Sequence, residues 1–439
     1  MKRKVLALFL VGAMVSSFVV GCGKSDGTDS GSQSESEKNE DIVTLKYATY
    51  RVGNHPSAAQ EKACLDRFEE LYGDEIKLEI EELPSDQAYA DKMKVLAASG
   101  ELPDVVDGKN GIKELAIDNG QAVDILPMLE DDQEWKADLS EDAIQANMSE
   151  DGKLYSLVAL TQLSGYFYNT EMFADAGIEP AKTWEEFMDN CEKLDAKGHT
   201  PLALMTGENC WATNILLAAM IGTNGEAGNE FMNTKYPDTY QTPEVIDALE
   251  RMKVLLEKYT TEDAIGALYA NAANNFMQGE AAMFCNGLWM TPDFENPEKS
   301  MEGFSDKVGI AMFPENGLMT TYPEGWVVCA DSPEKQDAAM KLLKVFTDAE
   351  GQQAAMEYTK DVPCGNNVEI TDQFAAENPL FAQMMEDRKG TEYAFATFDV
   401  TAYPTVVDSF SKYYPDLVYG NITAEEMAKK LDEAAESSK

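Results

Sequence analysis

Residues 168–205 read YNTEMFADAGIEPAKTWEEFMDNCEKLDAKGHTPLALM. Thr183-Trp184-Glu185-Glu186 in this stretch is a capping box. The Thr183 hydroxyl can accept from the free amide of Glu186, while the Glu186 carboxylate reaches back to the Thr183 amide. Trp184, Phe187, Cys191 and Leu194 then recur at helical spacing as a buried stripe, and Gly198 stops the helix. Pro201 to Met205 follows as a short strand. A helix that ends on glycine and passes directly into a strand is one step of a layered α/β lobe.

The same alternation extends in both directions. Upstream, Thr44 to Tyr50 reads as a strand, Ser57 to Tyr72 as a helix burying Cys64, Leu65, Phe68, Leu71 and Tyr72, and Ile76, Leu78 and Ile80 as a second strand. A helix from Asp86 stops at Gly100, the strand Asp104 to Val106 follows, and another helix ends near Gly120. Downstream, Pro243 opens a helix with Val245, Ile246, Leu249, Met252 and Leu256 inward, and Ala281 to Phe284 is a strand. Glu334 to Phe346 is an amphipathic helix, and a second capping box at Thr423 to Glu426 starts the last one. In open α/β sheets ligands meet the loops beyond the carboxyl ends of strands. Those loops are Tyr50 to Pro56, Asp107 to Gly111, Thr206 to Trp211, Asn286 to Trp289 and Thr320 to Trp326.

Lys2, Arg3 and Lys4 precede an apolar run from Val5 to Val20, the build of a secretory signal peptide. Val19-Val20-Gly21-Cys22 at its end resembles the lipobox of bacterial lipoproteins, which makes residues 1–21 the signal and Cys22 the acylated first residue; an ordinary cleaved signal is the alternative. Residues 22–41 carry nothing that nucleates a core and read as a flexible tether. The expected location is the extracytoplasmic face of the cell membrane, held by lipid alone. The body, about 400 residues, exceeds what one core usually holds, so two lobes are expected. A formal net charge of −44 opposes nucleic acid and anionic lipid. No Cys-x-x-Cys pair or zinc-spaced His occurs among Cys64, Cys191, Cys210, Cys285, Cys329 and Cys364, so neither metal nor cofactor is expected, and one disulfide stays open.

Tyr168-Asn169, Phe173, Gly177-Ile178, Pro180, Thr183 to Phe187, Lys193-Leu194, Gly198 and Pro201 resemble the central signature of the family 1 extracellular solute-binding proteins. The later block Phe276-Met277-Gln278-Gly279-Glu280-Ala281-Ala282-Met283, leading to Gly287-Leu288-Trp289, fits the same family in order and spacing. The resemblance implies a two-lobed, periplasmic-binding-protein-like α/β fold of type II that closes by hinge motion on a ligand between its lobes. It implies crossings near Val158 to Leu163, Gly325 to Ala330 and Gly390, hence one lobe of 42–157 plus 331–389 and another of 158–330 plus 390–439. It also implies a monomeric, non-enzymatic subunit of an ABC importer, capturing a carbohydrate for permease partners in the membrane.

A sugar offers hydroxyls and C–H faces, so its cleft needs aromatic rings and fixed polar groups. Trp289 matches the Gly-x-Trp aromatic that the family uses as a sugar platform, and Trp211, Trp326 and Tyr403 are candidates by position and type; core packing is the alternative for each tryptophan. The polar candidates are Arg51, Asn54, Asp107, Asn110, Glu208, Asn209, Asn286 and Glu324, against the alternative of solvated or turn-forming loop residues. The competing classes are a secreted glycosidase, which needs two facing carboxylates, and a lipoprotein that senses ligand for a receptor. No His-Glu-x-x-His, P-loop or Gly-x-Gly-x-x-Gly motif is present, Gly-x-Ser-x-Gly occurs only at Gly23 to Gly27 in the tether, and His55 and His199 are the only histidines.

Overall fold

The computed structural model describes residues 42–438 except 54, 150 and 366. The lipobox, Cys22 and the tether lie outside the described residues, as does Asn54. No helix among the described residues is long and apolar enough to cross a membrane.

Among the described residues twelve strands form two sheets. They are β1 (Val43–Thr49), β2 (Ile76–Glu82), β3 (Val105–Asp107), β4 (Ser156–Leu157), β5 (Leu160–Asn169), β6 (Thr200–Leu202), β7 (Ala281–Gly287), β8 (Val308–Ala311), β9 (Gly317–Thr321), β10 (Trp326–Val328), β11 (Val362–Pro363) and β12 (Tyr393–Phe395). The first sheet runs β2-β1-β3-β10-β4, and the second β12-β9-β5-β7-β6, with β8 and β11 also on β5. β1 is parallel to β2 and β3, whereas β10 is antiparallel to β3 and β4. Both faces of each sheet are covered. Leu45 and Tyr47 enter one apolar cluster while Ala48 and Tyr50 enter another, the period-two alternation of a strand between two helical layers. In the second lobe Tyr166 and Phe167 part in the same way.

The helix Trp184–Ala196 buries Trp184, Phe187, Cys191 and Leu194 as its spacing requires. Its cap differs in one half from expectation. Thr183 accepts from the Glu186 amide, but the Glu186 carboxylate takes the Lys182 N–H at 2.8 Å, one residue earlier than a capping box prescribes. The box at Thr423 and Glu426 is complete in both directions. β5, the central strand of the second sheet, is absent from the sequence-based elements because Gln162, Ser164 and Gly165 interrupt its apolar run. Gly165 is required there: a Cβ would lie 2.0 Å from the Ala311 carbonyl oxygen on β8. The six described cysteines are all free, five of them buried.

The chain passes from the first sheet to the second between Leu157 and Leu160, and back between Thr321 and Trp326. It enters the second sheet again at Val362, where β11 pairs with Thr161 and Leu160 of β5. The helix Pro379–Asp387, expected in the first lobe, sends Phe381 and Met384 into the cluster around Phe167 and Phe276. Apolar side chains at helical spacing declare that a face is buried, not against which sheet.

Candidate ligand-binding cleft

The carboxyl ends of β1 and β3 bring Arg51 and Asp107 together in a close ion pair. Asp107 also accepts from the Tyr50 hydroxyl at 3.3 Å and from the Lys109 N–H at 2.9 Å, so it is occupied in holding the loop. The Arg51 guanidinium lies 5.0 Å from the ring centroids of both Tyr50 and Trp326 and 3.7 Å from Glu61. Its Nη1 is buried with no hydrogen-bond partner. Lys109 forms a close ion pair with Asp86 at the start of the helix Asp86–Ser99, and His55 approaches the same carboxylate at 3.7 Å. Burial drives the His55 ring down to about 4, so it is neutral at physiological pH.

Asp86 acts electrostatically on Glu208 and Tyr269, which belong to the second sheet's side of the molecule. Trp211 opens the helix Trp211–Gly222 and packs at 4.9 Å on Tyr269. Trp289 is partly buried against the clusters on both faces of the second sheet. Its indole rests on Gly287 so closely that a Cβ there would stand 2.0 Å from the ring. The Gly-x-Trp spacing thus has a steric reason. Glu208, in a left-handed backbone conformation, is held above the usual carboxylate range by burial and by Asp86 across the gap, with Lys109 opposing the shift. Asn209 offers its carbonyl to Asn214.

Two candidates have other work. Trp326 is 4% exposed, stacked on Phe346 at 4.5 Å with Arg51 over the ring, and its Nε1 donates to the Tyr47 hydroxyl at 3.3 Å. It backs the Arg51 site rather than presenting a free face. Asn286 is fully buried and donates to the Tyr269 hydroxyl at 3.3 Å, so it positions that ring. Tyr403 stacks on Tyr236 at 4.2 Å and 12°. Asn110 and Glu324 line a pocket between the lobes together with Tyr236, Glu114 and Asp399. Burial, and then Glu114, raise the Glu324 carboxyl well above its usual range, while Lys113 beside it is lowered by its own burial.

Sequence reasoning missed Tyr269, Tyr236, Asp86, Lys109 and Tyr50. Lys109 and Tyr50 stand in strand-end loops already singled out, so that signal was available. Tyr269 and Tyr236 stand beyond those loops and reach the cleft only through tertiary packing. Residues of the two lobes touch at the rim of the pocket lined by Asn110 and Glu324. Gly111 lies against Pro404, where a Cβ would come within 2.4 Å of the proline ring, and Lys94–Asp408 (3.5 Å) and Lys235–Glu114 (3.3 Å) pair across the gap.

A family profile described as bacterial extracellular solute-binding protein matches residues 63–383, well over half of the chain. The chain belongs to that family. Among curated relatives, this solute-binding protein is similar to the multiple sugar-binding protein of Streptococcus mutans, 25% identical over 375 residues that make up 80% of each chain. Among solved structures it is similar to a chitin oligosaccharide binding protein, with a TM-score of 0.78 and 25% identity over 90% of this chain and 99% of that one. A maltose-bound protein of T. maritima shares the fold, with a TM-score of 0.72 and 19% identity over 91% of this chain and 100% of that one. The two-lobed architecture of this solute-binding protein is the one those sugar-binding structures have.

Proposed function

We propose that this solute-binding protein captures a sugar or oligosaccharide between its lobes and delivers it to the membrane permease of an ABC importer, without altering it. The observation that carries the reading is the cleft itself. Trp211 packs on Tyr269, and Trp289 is partly buried against the same cluster. Arg51 and Lys109 on the loops after β1 and β3 and Asp86 at a helix start meet nearby, with Asp86 acting electrostatically on Tyr269 and Glu208. We read these as the two walls of the cleft. Rings supply faces for C–H stacking, and fixed charged groups supply hydrogen-bond partners for hydroxyls. In this reading the first lobe is 42–157 with 326–361, the second is the rest of the body, and ligand favours the closed state by its differential contacts. The likeness to sugar-binding relatives supports the ligand class.

A thermal-shift screen of mono- and oligosaccharides tests it. A true ligand at a hundred times its Kd should add about 2.7 kcal/mol of stability, and chromatography after long incubation should return it unchanged. A product formed in proportion to protein concentration would instead favour the glycosidase class. Anchoring through Cys22 is the second part of the proposal. Cys22→Ser should move the protein out of the membrane fraction with ligand affinity intact, and membrane retention by that variant would overturn the lipid anchor.

A further inference from the structure

The pocket lined by Asn110, Glu114, Tyr236, Glu324 and Asp399 lies on a seam between the two lobes. On one side stands the helix Ile112–Asp118, which sends Ile112 and Ala116 into the apolar cluster around Tyr89 and Val106 of the first sheet. On the other stand Asp399 and the helix Pro404–Val418, whose Val406 and Val407 enter, with Phe398, the cluster around Tyr166 of the second sheet. Glu324 sits between them, on the crossing from β9 to β10. The pocket encloses only about 20 Å³, room for a single water molecule. It cannot hydrate the carboxylates that converge on it. Two of these meet cations at the rim: Lys235 pairs with Glu114 at 3.3 Å and Lys94 with Asp408 at 3.5 Å, each pair joining one side of the seam to the other. Even so, Glu114 Oε2 is buried without a hydrogen-bond partner, which costs free energy. Glu324 is less well served. Burial, and then Glu114, hold its carboxyl well above the usual range; Asp399 and Asp107 act in the same direction, and Lys113 opposes them. Lys113 is itself 6% exposed and donates to the Asn147 side chain at 3.4 Å. The remaining titratable wall is Tyr236, pushed up by burial and then by Glu114 and Glu324, so its phenol stays neutral.

We infer that this seam couples lobe closure to proton uptake: Glu324 takes a proton from solvent as the lobes close over it and returns it when they part. Parting withdraws Tyr236, Asp399 and Pro404 from the pocket and gives the Glu324 carboxyl back to water, where its value is about 4.3. Between that value and the higher one of the closed state, the closed protein holds a proton that the open one lacks. Closure is therefore favoured in mildly acidic solution and loses that contribution as pH rises through the closed-state value. Burial lowers Lys113, whose proton loss acts in the opposite sense, so the test includes a variant without it. The inference rests on the two-lobed architecture and not on the identity of the ligand.

The test is small-angle X-ray scattering of the purified, unliganded protein between about pH 5 and pH 8, the span in which a raised carboxyl titrates. The radius of gyration of the wild type should be smaller at the acidic end than at the alkaline end. Glu324→Gln mimics the protonated carboxyl, so it should keep the smaller radius throughout, with a melting temperature at the alkaline end no lower than that of the wild type. Lys113→Met removes the cation that opposes proton uptake, so the midpoint of the transition should move to higher pH. A wild-type radius that does not change with pH overturns the inference. So does a change that survives in Glu324→Gln, which assigns it to another group, or a Glu324→Gln protein that stays expanded throughout. A midpoint that stays in place or falls in Lys113→Met overturns it as well, whether or not the glutamine variant folds. None of these readouts uses a sugar, so the sugar reading stands or falls separately.

Discussion

Asp361→Asn should make the protein more stable at pH 8, by an amount on the order of 4 kcal/mol at about 1.4 kcal/mol per pKa unit. Asp361 is 4% exposed where the chain enters β11. The Thr359 hydroxyl donates to its Oδ2 at 2.8 Å, but its Oδ1 has no partner. Burial pushes the carboxyl up to about 7, against the pull of the Thr359 hydrogen bond and of Arg51. The sign follows from proton counting. Between the unfolded value near 4 and the folded value near 7, the folded protein holds a proton that the unfolded chain has lost. Stability therefore falls as pH rises through that window and levels off above it. Asparagine keeps the acceptor for Thr359 and removes the charge. Urea unfolding of both proteins at pH 5 and pH 8 checks this: their difference should widen by about 2–3 kcal/mol between the two pH values. Parallel curves would mean that water or a nearby donor already satisfies Oδ1.

Trp289→Ala should weaken binding of the best sugar from the screen by roughly 1–3 kcal/mol, or about five- to 150-fold. Apo stability should change less. The ring lies against Gly287 and is only partly buried, so part of it remains free for ligand. A ring that served packing alone would behave in the opposite way and cost about 3–5 kcal/mol of folding stability on truncation. The apo melting temperature and the affinity of this one variant separate the two roles. A protein that melts far lower yet binds normally when folded would remove Trp289 from the cleft wall.

Local chemistry was legible where its partners are close in sequence. The complete capping box at Thr423, the stripe of Trp184, Phe187, Cys191 and Leu194, and the Gly100 stop of the helix Asp86–Ser99 all depend on neighbours within a few residues. The strand-end loops were legible for the same reason, and they contain Arg51, Lys109, Glu208, Trp211 and Trp289. β5 was not. Its ten residues pair with β7, β8, β9 and β11, all of them far along the chain, and Gly165 is dictated by the Ala311 carbonyl rather than by any local pattern. The aromatic candidates divide in the same way. Tryptophan in a loop announces a large ring, but whether its face is covered depends on distant residues: Phe346 and Arg51 cover Trp326, while Trp289 keeps part of its ring free.

By itself, then, the sequence determined the layered α/β class, the family resemblance and the loops from which a site must be assembled, because periodicity, capping and colinear motifs are properties of the chain alone. Tertiary structure decided which side chains in those loops meet. It set Tyr269 beside Trp211, turned Trp326 into a support for Arg51, and put Tyr236 opposite Glu114 at the pocket. It also decided that Asp361 is buried with an oxygen unpaired. Burial and orphaned polar atoms are created when segments distant along the chain pack together, and no short sequence window contains all the partners of such packing.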